Sequence, residues 1–481
     1  MPISDPRYVL LIVLVALAFY ALPARRPRVL FILCASYAYY LTFPVAFLAS
    51  LLFVTIVAFV GGLLIERARE SRAMRWATAL ALVTCVAPML SYKYLIPLSE
   101  RLGFAAAPAW VLPVGLSFYT FAAAGYLADV ALGIVDAERR PARLALFCAF
   151  FPTVTMGPVM RTSLFEQLEF DRTFNVERGL RAGTEILLGM VLKLWFADTI
   201  AVSANEIYGN LQNTTPVEHF FGSALVAFQV YADWLGYSMI AIGSARLLGV
   251  DLPVNFRQPF LSPTINEFWR RWNISLINWL RDYLFMPIRL KLKLLGPWAV
   301  PLATTITFAI LGMWHAAGWG YLVYGLANGL LVVGSQLTLP LRDKLWRSIG
   351  CPPWISQFVR IPITFCIVVL TVPLVRASDF GEAIEIYQGI FSIRFLNGLW
   401  SIVRDAGRGA IEALLRSEHM MTAVLLILCL IAYDIISSSK IRILASRPGL
   451  VTATVYATCI LAVIYYAASG APVQPFVYFH Y

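Results

Sequence analysis

Long apolar stretches recur along the 481-residue chain, and short polar segments separate them. A helix needs about 20 residues to cross the hydrocarbon core of a bilayer. The first apolar run covers residues 8–22. The later candidate segments are 29–42, 46–65, 76–95, 111–133, 144–159, 186–201, 221–248, 298–317, 321–339, 354–375, 420–437 and 451–468. The pattern predicts an all-α polytopic transmembrane helical bundle with about 11 to 13 spans.

The basic residues cluster in the polar segments, and their spacing predicts a topology. The first three clusters lie at residues 25–28, 67–75 and 139–143, and two spans separate each neighbouring pair. Because cytoplasmic loops are enriched in Lys and Arg, all three are expected inside and the N-terminus outside. Later clusters at 289–293, 342–347 and 440–447 continue this parity if segment 144–159 is re-entrant. The C-terminus is then external, as is the segment 378–419.

Two segments depart from simple spans. "FPTVTMGPV" holds Pro152 and Pro158, and prolines at membrane depth are tolerated where protein or a cavity covers the backbone. We therefore predict a re-entrant or kinked segment. The stretch 161–181 alternates charged and large apolar residues, which is typical of an interfacial element on the membrane surface.

Composition agrees with a membrane protein surrounded by lipids. The chain is 60% hydrophobic and 14% charged, against about 25% charged residues in soluble domains. Its formal charge of +11 is spread over short loops rather than one polar face, so no nucleic-acid partner is expected. Seven cysteines without a CxxC pair and the absence of an HExxH motif predict no metal site.

The stretch "FWRRWNISLINWLRDY" at 268–283 concentrates aromatic and charged residues around Asn273. On a single helix, Trp269, Trp272, Trp279 and Tyr283 share a face suited to the membrane interface. Asn273 falls among apolar neighbours and must find hydrogen-bond partners. Spacing alone leaves two interpretations open, a tie between helices and a functional residue.

His315 lies in the apolar run 298–317 and is one of four histidines. An ionisable residue in a membrane segment is a functional hypothesis by default. Burial disfavours the imidazolium, so a neutral ring could act as a general base. An inter-helix hydrogen bond is the alternative. Asp233 is also intramembrane, and nearby Tyr231, Tyr237 and Ser238 favour a structural role for it.

Several motifs together resemble the membrane-bound O-acyltransferase (MBOAT) family, in particular its bacterial alginate-type branch for polysaccharide O-acetylation. They are "LPVGLSFYTFAAAGYLADV", "FPTVTMGPVMR", the long motif from "FQVYADW" to "LRDYLF", "GMWHAAGWGYLVYGLANG" and "FVYFHY". The resemblance implies the MBOAT helical bundle and transfer of an acyl group from a thioester to a hydroxyl. It places the family's buried histidine at His315 and its second marked position at Asn273, where bacterial members of this branch usually carry histidine.

The resemblance also implies the surroundings of the enzyme. No permanently bound cofactor is expected, and the donor would be acetyl-CoA or another acyl thioester, carried by CoA or an acyl carrier protein on the cytoplasmic side. Arg281, Arg289 and Lys291 are the candidates for contacting it. A periplasmic SGNH-type acetyltransferase is a possible partner, and the location is the bacterial plasma (inner) membrane. One integral-membrane domain is predicted for 1–481, with N-terminal spans in 8–133, a core in about 144–377 and C-terminal spans in 420–470.

Other functions remain open on the sequence. A buried histidine and asparagine in a polytopic bundle also suit a transporter or flippase, and a scaffold for a periplasmic partner is a third interpretation. If the protein is an acyltransferase, its acceptor hydroxyl could belong to an extracytoplasmic glycan, a lipid, a small molecule or a partner protein.

Overall fold

A computed structural model describes residues 1–23, 25–102, 111–404, 418–436 and 450–468. All regular structure in these ranges is helical, which confirms the predicted class. Within them, seven helices are long and apolar enough to cross a membrane. Shorter apolar helices cover Pro6–Ala21, His419–Ile435 and Tyr456–Tyr466. The chain is therefore a multi-pass membrane protein.

Most of the N-terminal helices follow the predicted apolar runs, whereas the run 186–201 is the middle of a longer helical stretch, Val176–Tyr208. Their bounds are α1 (Pro6–Ala21), α2 (Arg26–Tyr40), α3 (Ala46–Arg67), α4 (Ala73–Leu90), α5 (Ile96–Arg101), α6 (Leu116–Ala131), α7 (Pro141–Ala149), α8 (Phe151–Val154), α9 (Val176–Val191), α10 (Asp198–Tyr208) and α11 (Pro216–Leu247). Two π-helical segments, Ser91–Leu95 and Leu192–Ala197, join α4 to α5 and α9 to α10.

The helices of the C-terminal half include three short ones, which precede three longer helices. Their bounds are α12 (Ile265–Arg271), α13 (Ile274–Leu280), α14 (Met286–Lys291), α15 (Ala299–His315), α16 (Trp319–Ser348), α17 (Pro353–Val369), α18 (Pro373–Arg376), α19 (Phe380–Ile390), α20 (Ile393–Arg404), α21 (Glu418–Ile436) and α22 (Leu450–Ala468). A third π-helical segment, Arg281–Phe285, joins α13 to α14. The predicted terminal motif "FVYFHY" and the basic cluster at 440–447 lie outside the described residues.

The chain divides into two compact units. The first contains Met1–Met190, Tyr237–Asn255 and Arg442–Leu461, and the second contains Val191–Gly236, Phe256–Ile441 and Ala462–Tyr481. Asn273 and His315 both belong to the second unit. The boundaries that the sequence predicts within one membrane domain stay a prediction.

The proline-rich segment is broken, as its composition predicts. Phe150 has non-helical backbone angles between α7 and α8, and residues 144 and 146–160 are buried. The stretch 161–181 is not one surface element. Two 3-10 turns, Thr162–Leu164 and Glu166–Glu169, precede an extended segment, and α9 begins at Val176. Charge alternation does not record backbone breaks and so did not predict this division, while the location on the membrane surface stays a prediction.

The aromatic stretch 268–283 is two helices rather than one. Thr264 caps α12, since its hydroxyl accepts a hydrogen bond from the Glu267 amide at 3.2 Å, which is half of a capping box. Helix α12 ends because Trp272 is extended, and Asn273 then adopts a left-handed conformation at φ 44° and ψ 54°. The wheel that assigned one interfacial face to this stretch is therefore wrong. Trp269 and Trp279 are buried in the protein.

Helices α15 and α16 form a closely packed hairpin. A Cβ atom added to Gly325 would collide with the Phe308 carbonyl oxygen, and one added to Gly329 would lie 3.0 Å from the Thr305 Cα. Gly325 and Gly329 form a GxxxG motif at this contact, and small residues allow helix backbones to approach this closely in membranes. The hairpin turn lies between His315, the last residue of α15, and Trp319, the first residue of α16.

A buried ion cluster ties together helices of the second unit. The Lys193 Nζ lies 2.6 Å from an Asp198 carboxylate oxygen and 3.1 Å from one of Asp233, and all three side chains are at most 2% exposed. The Tyr466 hydroxyl donates to Asp198 at 3.1 Å. Lys193 and Asp198 are five residues apart, about 140° around an α-helix. The π-helical segment, with its i→i+5 hydrogen bonds, brings them to one face.

Candidate active site

His315 and Asn273 line the same cavity in the second unit. This histidine cavity has a volume of about 100 Å³. Its lining consists of Val230, Trp234, Trp269, Trp272, Asn273, Leu276, Ile277, Leu311, His315, Tyr321, Tyr324 and Val375. The two residues are 42 positions apart in sequence, so their meeting is a product of the fold. Most of these lining residues are aromatic or aliphatic, and none of them is acidic.

The backbone at Asn273 explains how its amide reaches the cavity. Residues with φ above zero are uncommon, and Asn, Asp and His are enriched among the non-glycine examples. Asn273 precedes α13 in the N-cap position, yet its side chain accepts no capping hydrogen bond from that helix. It is 6% exposed. The Asn273 amide therefore does not cap α13, although Asn is a preferred N-cap residue.

His315 is held among aromatic rings at the end of α15. Its ring centroid lies 4.8 Å from that of Trp314 and 6.0 Å from that of Tyr324, the latter in an edge-on arrangement at 78°. The helix stops there because Ala316 is extended, at φ −160°. His315 is only partly buried, so the imidazole borders the cavity rather than the protein interior alone.

A second cavity, of about 170 Å³, adjoins the first. Its lining consists of Asn266, Trp269, Arg270, Ile277, Leu280, Arg281, Phe285, Thr304, Thr307, Phe308, Leu311, Val332 and Gln336. We call it the arginine cavity. Trp269, Ile277 and Leu311 belong to both linings. The two cavities therefore form a pair, in which the arginine cavity carries more polar side chains than the histidine cavity.

The structure separates the three predicted donor contacts. Arg281 lines the arginine cavity and makes an ion pair with Asp282 at 2.9 Å. Arg270, which the sequence analysis did not single out, lines it too. Arg289 and Lys291 are exposed on α14 and belong to neither lining. Gln336 and Asn266 were also missed, since amides on long apolar or aromatic helices carry no distinct sequence signal.

The other ionisable side chains of interest, Asp233, His219 and His419, lie outside the two cavity linings. Asp233 pairs with Lys193, whereas the Tyr231 hydroxyl, expected as its partner, donates to Asp434 at 2.9 Å. His219 is half-buried, and its Nε2 lies 2.9 Å from the Thr214 hydroxyl. His419 is exposed. In the parts of the chain described here, no three His, Cys, Asp or Glu side chains are grouped as metal ligands.

Comparison with known proteins identifies a family whose matched range contains both polar residues of the histidine cavity. The model of the membrane-bound O-acyltransferase family matches residues 140–375, a range that includes Asn273 and His315. The probable alginate O-acetylase AlgI of Pseudomonas fluorescens is 32% identical over 406 residues, which cover 84% of this chain and 77% of the relative.

Two further relatives act on other envelope polymers, as their names state. The peptidoglycan O-acetyltransferase of Helicobacter pylori is 27% identical over 320 residues, 60% of this chain and 58% of the relative. The teichoic acid D-alanyltransferase of Bacillus subtilis is 29% identical over 236 residues, 46% of this chain and 58% of the relative. With the helical architecture and the long AlgI alignment, these matches establish that the chain belongs to the membrane-bound O-acyltransferase family and is an O-acyltransferase.

Proposed function

We propose that the protein transfers an acetyl group from a cytoplasmic thioester to a hydroxyl of an extracytoplasmic glycan, with His315 as general base. The observation that carries this proposal is the joint lining of one cavity by His315 and Asn273. The names of the matched O-acetylases support acetyl as the group and an envelope glycan as the acceptor.

The reaction uses the two polar groups of the histidine cavity. The His315 imidazole takes the proton from the acceptor hydroxyl as its oxygen attacks the thioester carbonyl. The Asn273 amide donates a hydrogen bond to the developing oxyanion. When the C–S bond breaks, His315 returns the proton to the departing thiolate. The products are an ester and a free thiol, and no proton is gained or lost.

The donor arm belongs in the arginine cavity. Acetyl-CoA carries phosphates, and an acyl carrier protein presents a phosphopantetheine arm, so Arg270 and Arg281 suit either donor. Both guanidinium groups are solvent-exposed and could rearrange on binding, since their ion pairs with Glu267 and Asp282 are exposed and therefore weak. Arg289 and Lys291 would act further out, on CoA phosphates or on the cytoplasmic leaflet.

The direct test is transfer of label in vesicles. The purified protein is reconstituted with alginate oligosaccharide or a muropeptide inside and acetyl-labelled acetyl-CoA outside. We expect base-labile ester label on the enclosed glycan. Intact labelled acetyl-CoA inside the vesicle would instead indicate a transporter, and an absence of labelled ester with every acceptor would contradict the proposal.

Variants of Asn273 separate its amide from its backbone conformation. Glycine adopts left-handed angles freely, so Asn273→Gly removes the amide without backbone strain. We expect its turnover to fall about 10- to 1000-fold, the scale of lost oxyanion donors, with no change in the pH profile. Asn273→Ala should lose as much activity and also about 1–2 kcal/mol of stability.

A histidine at this position is the conservative replacement. It tolerates left-handed angles and retains a hydrogen-bond donor, so Asn273→His should keep measurable activity. Steady-state kinetics at several pH values, together with thermal unfolding in detergent, distinguish these outcomes. Wild-type turnover by Asn273→Gly would reduce Asn273 to a structural tie between helices.

The proposed inner-membrane topology is tested with two exposed serines. Ser348 ends α16 and Ser378 follows α18, and the basic-cluster parity places them on opposite sides. In a Cys351→Ser background, which removes a thiol near Ser348, Ser348→Cys should react with an impermeant maleimide only from the cytoplasmic side. Ser378→Cys should react only from outside. Reaction of both from one side would contradict the parity count on which the proposed topology rests.

A periplasmic SGNH-type acetyltransferase is the proposed partner, since an external hydrolase-fold protein could receive the acetyl group and pass it to the glycan. In that case the first labelled product in the vesicle assay is the partner's serine ester. Adding such a protein to the vesicle interior should then raise the yield of acetylated glycan.

A further inference from the structure

The two adjoining cavities differ in a way that bears on the acyl group itself. The arginine cavity carries two guanidinium groups and the side-chain amides of Asn266 and Gln336. Apart from His315 and Asn273, the histidine cavity is lined by aromatic and aliphatic side chains. A thioester with a polar arm and an apolar acyl group therefore matches the pair in one orientation, with the acyl group beside His315.

The size of the histidine cavity then limits the acyl chain. An engineered apolar cavity of roughly 150 Å³ in another protein holds benzene, which has six carbon atoms. On that scale, a volume of about 100 Å³ accommodates about four heavy atoms. An acetyl group has three and a propionyl group has four. A butyryl or longer chain would have to displace the walls.

Val230, Trp234 and Leu276 are apolar side chains that could limit the length of an acyl chain in the histidine cavity. They line the histidine cavity and are absent from the lining of the arginine cavity. Trp234 and Leu276 are 6% and 4% exposed, so they are packed against other parts of the protein. Close-packed interiors yield little when a ligand is enlarged.

We propose that Val230, Trp234 and Leu276 determine acyl chain length in this enzyme and restrict it to two or three carbons. This inference rests on the proposed function, because it assumes that the acyl group occupies the histidine cavity during transfer. Exclusion of one methylene from an apolar pocket typically changes specificity by about 10- to 200-fold. The wild-type protein should therefore prefer acetyl over butyryl by at least tenfold.

The test is a competition between two donors in one reaction. Equimolar acetyl-CoA and butyryl-CoA are supplied to the reconstituted protein, and the ratio of the two ester products is measured by mass spectrometry. A product ratio does not depend on the fraction of folded protein. Leu276→Ala removes three carbon atoms from the wall and should raise the butyryl-to-acetyl product ratio at least tenfold. Val230→Ala should shift it in the same direction to a smaller extent.

Leu430→Ala is the matched control. Leu430 is 1% exposed, lies on α21 in the same unit and belongs to neither cavity lining, so its loss should leave the ratio unchanged. Equal use of acetyl and butyryl by the wild type, an unchanged ratio in both wall variants, or the same shift in Leu430→Ala would overturn the inference. Failure of the wild type to form any ester would instead overturn the proposed function.

Discussion

Replacing His315 with alanine is expected to lower turnover by about 10²- to 10⁴-fold, the usual contribution of a positioned general base. The acceptor hydroxyl would lose its proton acceptor, while the donor could still enter the two cavities. The KM for acetyl-CoA should therefore change much less than kcat. The measurement is steady-state transfer by the reconstituted protein at several donor concentrations.

Two companion variants make this result specific. His315→Gln retains a hydrogen-bonding side chain but no base, so it should be as inactive as alanine if His315 acts on a proton. If His315 only ties helices together, glutamine should restore activity. His419→Ala removes an exposed histidine and should be neutral. Near-wild-type turnover by a folded His315→Ala protein would exclude His315 as the base.

Replacing Lys193 with methionine is expected to have the largest effect on stability. The change leaves the carboxylates of Asp198 and Asp233 buried without their cation. Breaking a buried ion pair in this way typically costs about 3–5 kcal/mol. Asp233 is on α11, next to Trp234 in the histidine cavity, so activity should fall together with stability. Thermal unfolding in detergent, followed by tryptophan fluorescence, provides the measurement.

A triple variant tests whether the loss of stability comes from the unpaired carboxylates. Neutralising the whole cluster in Lys193→Met/Asp198→Asn/Asp233→Asn removes the buried carboxylates as well, and replacing complete buried ion clusters is often nearly neutral. The triple variant should therefore unfold at a higher temperature than the single one. Lys344→Met, at an exposed lysine, should match the wild type. A triple variant less stable than Lys193→Met would contradict the explanation.

The length of the apolar runs was a good guide to the fold, but the breaks in the backbone were not predicted. Several helices differ from the predicted segments by only a few residues, as at α3 and α21, because membrane insertion depends on summed hydrophobicity, whereas α16 ends nine residues beyond its segment 321–339. The break at Asn273 was missed because one residue in left-handed angles leaves the hydrophobic period almost unchanged. The faces assigned to Trp269 and Trp279, which are buried, were wrong for this reason.

The candidate site was predictable in part. His315 was identified because an ionisable residue is conspicuous in an apolar run, and its position at the end of its span follows from the glycines after it. Lys193 also stands in an apolar run, 186–201, and is more deeply buried than His315, yet it was missed, and its partner Asp233 is 40 residues away in the sequence. Pairing across helices depends on tertiary packing, which a single sequence does not report.

The wide turn at Leu192–Ala197 also gives this chain a particular response to changes in length. A π-helical hydrogen bond spans one residue more than an α-helical one, so deletion of one residue between Lys193 and Asp198 would leave an ordinary α-helical turn in place of Leu192–Ala197. Lys193 and Asp198 would then stand four apart, still able to meet on an α-helix. The residues beyond Asp198 would keep nearly the same faces. The same deletion within the α-helical part of α10 would instead rotate the residues that follow it by about 100°, so the wide turn is where this span best tolerates the loss of one residue.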